Sequence, residues 1–320
     1  MTSKGVEKMT SSTIGIDISK DFLDAHRLPD GEARRFENSK AGHKMLIRWL
    51  SDTPVERIVY EPTGPYHRCF EQALAKVGLA LAKVNPRQAR RFAEATGKLA
   101  KTDRADARML ARMGVALALA VRPVAGEMLS EIKELHLARQ ALIKDRTAAK
   151  NRGKIINLRL LKQQNAQRCK QIDAQITAIE EEIEARIAND EQLAERLAIL
   201  ESIPGISKIT AFALLIEMPE LGTLDGKQAA SLAGLAPVAR QSGRWTGRAF
   251  IRGGRASLRQ ALYMPALVAA RFNPAMKANY RKLIEAGKPA KIAITAIMRK
   301  LIVLANSLLR DRRNWVEIRA

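Results

Sequence analysis

Cysteine is nearly absent from this 320-residue chain, with only Cys69 and Cys169. Two cysteines exclude a disulfide framework and fit a reducing cytosol. Histidine is scarce too. His26, His43, His67 and His136 are scattered, and none stands with a cysteine pair, so no zinc site is expected and each reads as a surface or packing residue. The N-terminal residues contain no apolar signal core. The most apolar C-terminal stretch, Ile292 to Leu309, is broken by Arg299 and Lys300, so no membrane span is expected. Acidic residues are missing altogether between Asp225 and Glu285, where eleven lysines and arginines occur. Proline is missing between Pro123 and Pro204.

What is present narrows the class. Apolar residues make up 47%, enough to bury sizeable cores and to exclude a disordered tail protein, and the length suits two ordinary domains. Lysine and arginine number 55 against 33 acids, a net charge of +22. Such a charge calls for a polyanionic partner, nucleic acid ahead of a membrane surface. The expected setting is cytoplasmic, in association with nucleic acid.

Charge divides the chain into three parts. Residues 1–125 hold 22 basic and 14 acidic side chains, residues 126–195 hold 12 of each, and residues 196–320 hold 21 and 7. Solvated surfaces mix both signs, so the acid-free run in the third part reads as a phosphate-binding face.

The first part, 1–125, reads as α/β. Thr13-Ile14-Gly15-Ile16-Asp17-Ile18 is a short apolar strand with one acid embedded. Further strands are expected at Phe22–Leu28, Ala33–Phe36, Arg57–Tyr60 and Leu79–Val84. Helices are expected at Lys40–Leu50, at Tyr66–Val77 and over most of Arg87–Gly114. The middle part, 126–195, reads as long helix. Ile172, Ile176, Ile179, Ile183, Leu193, Leu197 and Leu200 follow a coiled-coil spacing that Arg186 and Asp190 interrupt, with Ile187 one place out of register. A fold-back near Gly153 or Asn165 would make it a hairpin arm. Arg139 to Lys170 carries ten basic residues and one acid, whereas Glu180-Glu181-Glu182 marks an acidic second half.

The third part, 196–320, reads as mainly helical with glycine-rich interruptions. Pro204-Gly205-Ile206-Ser207-Lys208 joins two helical stretches and resembles a helix-hairpin-helix turn, whose backbone N–H groups suit a phosphate. Gly205, Ser207 and Lys208 are therefore candidate nucleic-acid contacts. So are Arg240, Arg244, Arg248, Arg252 and Arg255. Val238 to Phe250 reads as an irregular basic loop around Gln241-Ser242-Gly243, where Arg240 and Arg244 flank Ser242 and can neutralise a phosphate beside its hydroxyl. No histidine follows His136, so a nucleophilic Ser242 would need a metal or a carboxylate to take its proton.

The carboxylates supply such a site. Asp17 lies within an apolar strand and Glu61 at the end of another, where an unpaired acid is costly to bury. Asp103 and Asp106 are three apart and share a face of a helix. Together the four suit two Mg²⁺ ions, hard cations that prefer oxygen, in an arrangement used for phosphodiester chemistry. The order strand-Asp, strand-Glu, helix Asp-x-x-Asp resembles the RNase H-like fold of Holliday-junction resolvases.

Asp17, Glu61, Asp103 and Asp106, followed by Pro-Gly-Ile-Ser, Ala-Gly-Leu-Ala-Pro and Gln-Ser-Gly, resemble the DEDD transposases of bacterial insertion sequences, the bridge-RNA-guided recombinases. The resemblance runs from about Thr13 to Leu309. It implies a RuvC-like N-terminal domain, a coiled-coil linker and a C-terminal transposase domain. It further implies that the four carboxylates bind Mg²⁺ and that Ser242 attacks the scissile phosphate to form a 5′-phosphoserine link. Donor and target double-stranded DNA and a noncoding guide RNA would be the partners. A homo-oligomer, dimer or tetramer, would place Ser242 of one subunit at the carboxylates of another; the alternative is a hairpin arm that brings the two domains of one chain together in cis. Two other readings stay open: a metal-dependent junction resolvase or nuclease with no covalent intermediate, and a non-catalytic nucleic-acid scaffold.

Overall fold

A computed structural model of the chain describes residues 11–97, 103–119, 121, 124 and 126–316, without the side chains of Asp103 and Arg104. Lys101 and Thr102, ahead of the Asp-x-x-Asp pair, lie outside the described residues. The chain forms two compact units, Met1–Glu127 and Met128–Ala320.

In the first unit, alternating apolar residues build a sheet with both faces covered. Strands β1 (Ser12–Ile18), β2 (Phe22–Leu28) and β3 (Ala33–Glu37) form an antiparallel meander. Helix α1 (Lys40–Leu50) leads to β4 (Val55–Tyr60), which lies parallel to β1, and α2 (His67–Lys76) leads to β5 (Leu81–Lys83), parallel to β4. The sheet order is β3-β2-β1-β4-β5. Helices α3 (Pro86–Ala95) and α4 (Asp103–Leu117) complete the unit. The expected strands and helices are all present, with ends shifted by a few residues. The stretch expected to be mostly helical is two helices, α3 and α4.

Side chains alternate across a strand. Ile14, Ile16 and Ile18 of β1 join Ile58, Tyr60, Phe70, Leu74, Trp49 and Leu50 in one core. On the other face Val59 packs with Val84, Met109, Leu110 and Met113. Thr13, Gly15 and Asp17 share that second face. Helix α4 crosses it so closely that a Cβ on Gly15 would collide with the backbone of Ala107 and Ala111. A Cβ on Gly114 would fall 2.9 Å from the Thr13 methyl. The helix therefore runs antiparallel to β1, with its first turn at the C-terminal end of that strand.

The second unit is helical. Helices α5 (Glu127–Gly153) and α6 (Arg159–Ala188) fold back on each other near Gly153 as an antiparallel hairpin. Arg139 pairs with Glu180 at 2.6 Å and Arg146 with Asp173 at 3.0 Å; Arg186 pairs with Glu131. Asn165 donates to the Ala149 carbonyl at 3.1 Å. The hairpin end exposes Ile155, Leu158, Leu160 and Leu161. The apolar seam is not one continuous helix. Asp190 caps the next helix, α7 (Glu191–Glu201), and Ile187, out of step in the heptad, is buried with Ile183 and Leu200. Arg186 points instead to Glu131 and Glu182, so the interruption is an ion-pair position beside the core.

Helices α8 (Lys208–Glu217) and α9 (Gly226–Leu232) follow, the latter opened by a capping box of Asp225 and Gln228. Four two-residue strands then form a ribbon: β6 (Pro237–Val238), β7 (Gln241–Ser242), β8 (Trp245–Thr246) and β9 (Phe250–Ile251). Helices α10 (Ala256–Ala261), α11 (Tyr263–Phe272), α12 (Pro274–Glu285) and α13 (Ala290–Arg310) close the unit. Helix α13 is long and apolar enough to cross a bilayer, yet Ile297, Leu301, Ile302, Ala305 and Leu308 are fully buried in this unit's core. Its Asn306 accepts from Gly222 N–H at 2.9 Å and donates to Leu224 O at 2.7 Å, anchoring the loop before α9.

The close backbone approach of α4 to β1 yields a test. Gly15→Ala forces a methyl group into α4 and should cost about 3 kcal/mol. Hydrogen exchange of β1 and α4 amides should then quicken about a hundredfold. Unchanged protection would contradict the backbone contact.

Candidate active site

The parallel pairing of β1 and β4 sets Ile16 opposite Tyr60. The next positions along the two strands are Asp17 and Glu61, side by side at the C-terminal edge of the sheet. Asp17 lies two residues beyond Gly15, on the face that α4 covers, and Glu61 follows the buried Tyr60. Asp106 immediately precedes Ala107, the residue whose backbone meets Gly15. Asp17, Glu61 and Asp106 are all half-buried. Asp103 begins α4, one turn beyond Asp106 in the same direction. Acids in a first turn also complement the positive end of the helix dipole. The topology thus brings these carboxylate positions to one end of the sheet.

The donor set is carboxylate oxygen, with no cysteine among these positions. That chemistry fits a hard divalent cation. Among the described residues no three ligating side chains already stand in a closed cluster.

A polar knot behind Glu61 was not foreseen from the sequence. The Tyr60 hydroxyl donates to Glu71, Lys83 pairs with the same carboxylate, and His67 Nε2 lies 3.8 Å from it. Burial, then the charge and hydrogen bond of Glu71, push the Tyr60 hydroxyl well above its ordinary pKa. It stays a neutral donor. Burial likewise lowers His67, although the Glu71 charge opposes it. The knot ties β4, α2 and β5 together one residue before Glu61. The signal in the sequence was Glu71 within the apolar face of α2, beside Phe70 and Leu74.

In the second unit the expected irregular loop is instead a ribbon. Gln241 pairs with Thr246 and Ser242 with Trp245, around a two-residue turn in which Gly243 takes φ +56°. Pro237 and Val238 pair with Ile251 and Phe250 at its base. A left-handed Gly at the first turn position suits a tight hairpin. Ser242 therefore sits at the tip, exposed, with Arg240, Arg244 and Arg248 exposed around it and Arg252 exposed just past the ribbon.

The other candidate contacts have structural partners. Arg255 grips Glu220 with both terminal nitrogens, at 2.6 and 2.9 Å, and donates to Glu217 O at 2.6 Å. Gly205, at φ +103°, turns toward α11: an added Cβ would lie 2.9 Å from Pro265 O. The Ser207 side chain caps α8 by accepting from Thr210 N–H. Lys208 pairs with Glu184 at 3.1 Å.

Comparison with known proteins supplies the family. Residues 14–159 match a transposase family of the DEDD IS110 type, and residues 197–281 match the family described as "Transposase IS116/IS110/IS902 family". The chain is 30% identical over 324 residues to a "Pilin gene-inverting protein" of Moraxella bovis, covering 95% of this chain and 98% of that protein. The same identity and coverage relate it to the protein so named in Moraxella lacunata. The chain belongs to the IS110 family of transposases. It also shares 32% identity over 142 residues with an "Insertion element IS110 uncharacterized 43.6 kDa protein" of Streptomyces coelicolor, covering 42% of this chain and 35% of that one. The IS110-family chain is thus a DNA transposase or recombinase, an enzyme, and its mixed N-terminal sheet is the RNase H-like fold of the DEDD domain. Dependence on a divalent metal goes with that family.

The ribbon and Arg255 make opposite predictions. If about six phosphates are contacted, the log–log salt slope for duplex DNA is about −5. Neutralising Arg244 and Arg248 together should flatten it by about two units. Arg255→Gln should leave the slope alone and lower stability, because it removes the ion pair with Glu220 and the hydrogen bond to Glu217 O. Fluorescence anisotropy across a salt series checks both. A slope unmoved by the Arg244 and Arg248 changes, or flattened by Arg255→Gln, would contradict the assignment.

Proposed function

We propose that this IS110-family enzyme cuts and rejoins DNA with two sets of residues. Asp17, Glu61, Asp103 and Asp106 form the metal-binding set, and Ser242 is the nucleophile. The observation that carries the reading is the convergence of Asp17, Glu61 and the start of α4 at one edge of the sheet. Mg²⁺, two ions per site, suits the oxygen-only donor set. When bound, such metal supplies Lewis-acid stabilisation of charge on the reacting phosphate.

The steps by this chain's own residues follow from their chemistry. Arg240, Arg244 and Arg248 hold the DNA backbone and offset its charge at the ribbon tip. Ser242 Oγ attacks phosphorus, a new Oγ–P ester forms and the P–O3′ bond breaks. The Oγ proton passes to a carboxylate oxygen, and the departing 3′ oxygen takes up a proton. The ester stores the bond energy for rejoining to another 3′ end. Reversal against a new partner yields strand exchange, hence insertion-sequence movement, or inversion of a segment as the names of the Moraxella relatives state.

Guide RNA belongs to this proposal. It is supported by the basic residues of Arg139–Lys170 other than the ion-paired Arg139 and Arg146, and by the acid-free run, which offer more phosphate-binding surface than Ser242 needs. A homo-oligomer with Ser242 of one subunit serving the carboxylates of another belongs to it too. Ser242 and the carboxylates lie in separate compact units, and no histidine follows His136 to serve as a local base. Action on DNA implies a cytoplasmic, DNA-associated protein. A second reading follows from the DEDD match: water attacks, as in a RuvC-like nuclease, and no adduct forms.

One experiment separates these readings. Wild type with Mg²⁺ should yield DNA-linked protein on denaturing gels. Ser242→Ala should bind DNA and yield none, and Asp17→Ala or Asp106→Ala should bind without cleaving. Mixed Ser242→Ala and Asp17→Ala subunits should regain activity. Full cleavage by Ser242→Ala would favour water, and no recovery in mixtures that exchange subunits would favour a site completed within one chain.

A further inference from the structure

Trp245 is the cross-strand partner of Ser242 and closes the ribbon turn with it. The chain has three tryptophans. Trp49 is buried in the first unit, and Trp315 packs against the core of the second. Trp245 is 58% exposed, although burying an indole is among the more favourable transfers a chain can make. The ring has a built place. It lies over Gly247, where an added Cβ would come 2.8 Å from Cζ3 and 2.9 Å from Cζ2. Gly247 is not at positive φ, so what a side chain there would meet is the indole and not a backbone restriction. The neighbouring aromatic, Phe250, is already covered by the Arg240 guanidinium, 5.6 Å from its ring centre. Among the described residues neither a ring nor a cation covers Trp245.

The surroundings state what the ligand must look like. The ribbon carries Arg240, Arg244 and Arg248, with Arg252 just beyond, inside the run that has no acid. A ligand with one flat apolar face and flanking negative charge matches both the indole and the arginines. An unpaired nucleobase in its strand has both. Bases inside a duplex hide their faces from such a ring. The occupant is therefore single-stranded or locally opened DNA.

We propose that Trp245 is a stacking platform for an unpaired nucleobase beside Ser242. The stacked base fixes the strand so that the adjoining phosphate meets the ribbon tip. This rests on the reading that the ribbon meets DNA. It does not depend on the serine being the nucleophile.

The test uses the full-length protein and a labelled oligothymidylate, with a blunt duplex of equal length as control. Trp245→Ala should weaken oligothymidylate binding roughly 5- to 150-fold, the loss typical of one stacked base. Trp245→Phe should retain most of the affinity. Gly247→Val, which displaces the ring without removing it, should reproduce much of the alanine loss. The salt slope should stay the same, because no phosphate contact is lost. Duplex affinity should change far less. Unchanged oligothymidylate binding by Trp245→Ala, an equal loss on both DNA forms, or a flattened slope would overturn the proposal. Ser242→Ala should bind the oligonucleotide as wild type does. Wild-type protein that forms no covalent adduct with Mg²⁺, while Trp245→Ala still loses oligothymidylate binding, would sink the serine reading and leave the stacking platform standing.

Discussion

The first unit depends on one contact, the passage of α4 over Gly15. A strand and a helix ordinarily keep side chains between them, and here the backbones nearly touch. Absence of a Cβ at Gly15 lets Ala107 and Ala111 sit directly on β1. That approach fixes both the distance and the register of α4. The register also sets where Asp106 stands against Asp17, because Asp106 is next to Ala107 and Asp17 is two residues past Gly15. A shift of one residue along the helix would rotate Asp106 about 100° away from the strand. The polar knot of Tyr60, Glu71 and Lys83 performs the same service for Glu61 from the other face. The carboxylates are thus held by a steric constraint on one side of the sheet and a buried polar one on the other.

The second unit solves a different problem, carrying a large positive charge without unfolding. Residues 196–320 carry only 7 acids against 21 basic residues, and several acids of the unit sit in structural positions. Glu220 holds Arg255, Asp225 caps α9, and Glu184 meets Lys208. The remaining arginines of the ribbon are left outward. Mutual repulsion among them is tolerable on an exposed two-stranded element, and a bound phosphodiester relieves it. The core beneath is apolar and continuous from Ile183 and Ile187 through α8 to α13. The hairpin of α5 and α6 grows out of that core instead of forming a separate layer.

Much of this was legible in the sequence, and the reasons differ by element. Strand β1 announces itself as a short apolar run, as a strand buried on both faces does, and helix α1 by its helical spacing. The order of the acids along the chain foretold the sheet edge, since acids are costly in strands unless they serve there. What escaped reading was set by distant partners. Gly15 looks like any strand glycine until α4 arrives from ninety positions along the chain. Arg252 and Arg255 are the same residue three apart, and only Glu220 makes one internal. Ile187 stands outside the heptad spacing because the helix there runs into a globular core. The ribbon at Ser242 was hidden because each of its strands is only two residues long, too short for any period to show.

We propose that Asp17, Glu61, Asp103 and Asp106 make one metal site at the end of β1 and β4. Iron-directed backbone cleavage measures this without any DNA. Fe²⁺ bound in place of Mg²⁺, with ascorbate and peroxide, cuts the polypeptide at the segments nearest the ion. The account predicts cuts near residues 17, 61 and 103–106 together, suppressed by excess Mg²⁺ and abolished by Asp17→Ala. Cuts confined to one of these segments, or cuts that persist in Asp17→Ala, would contradict it.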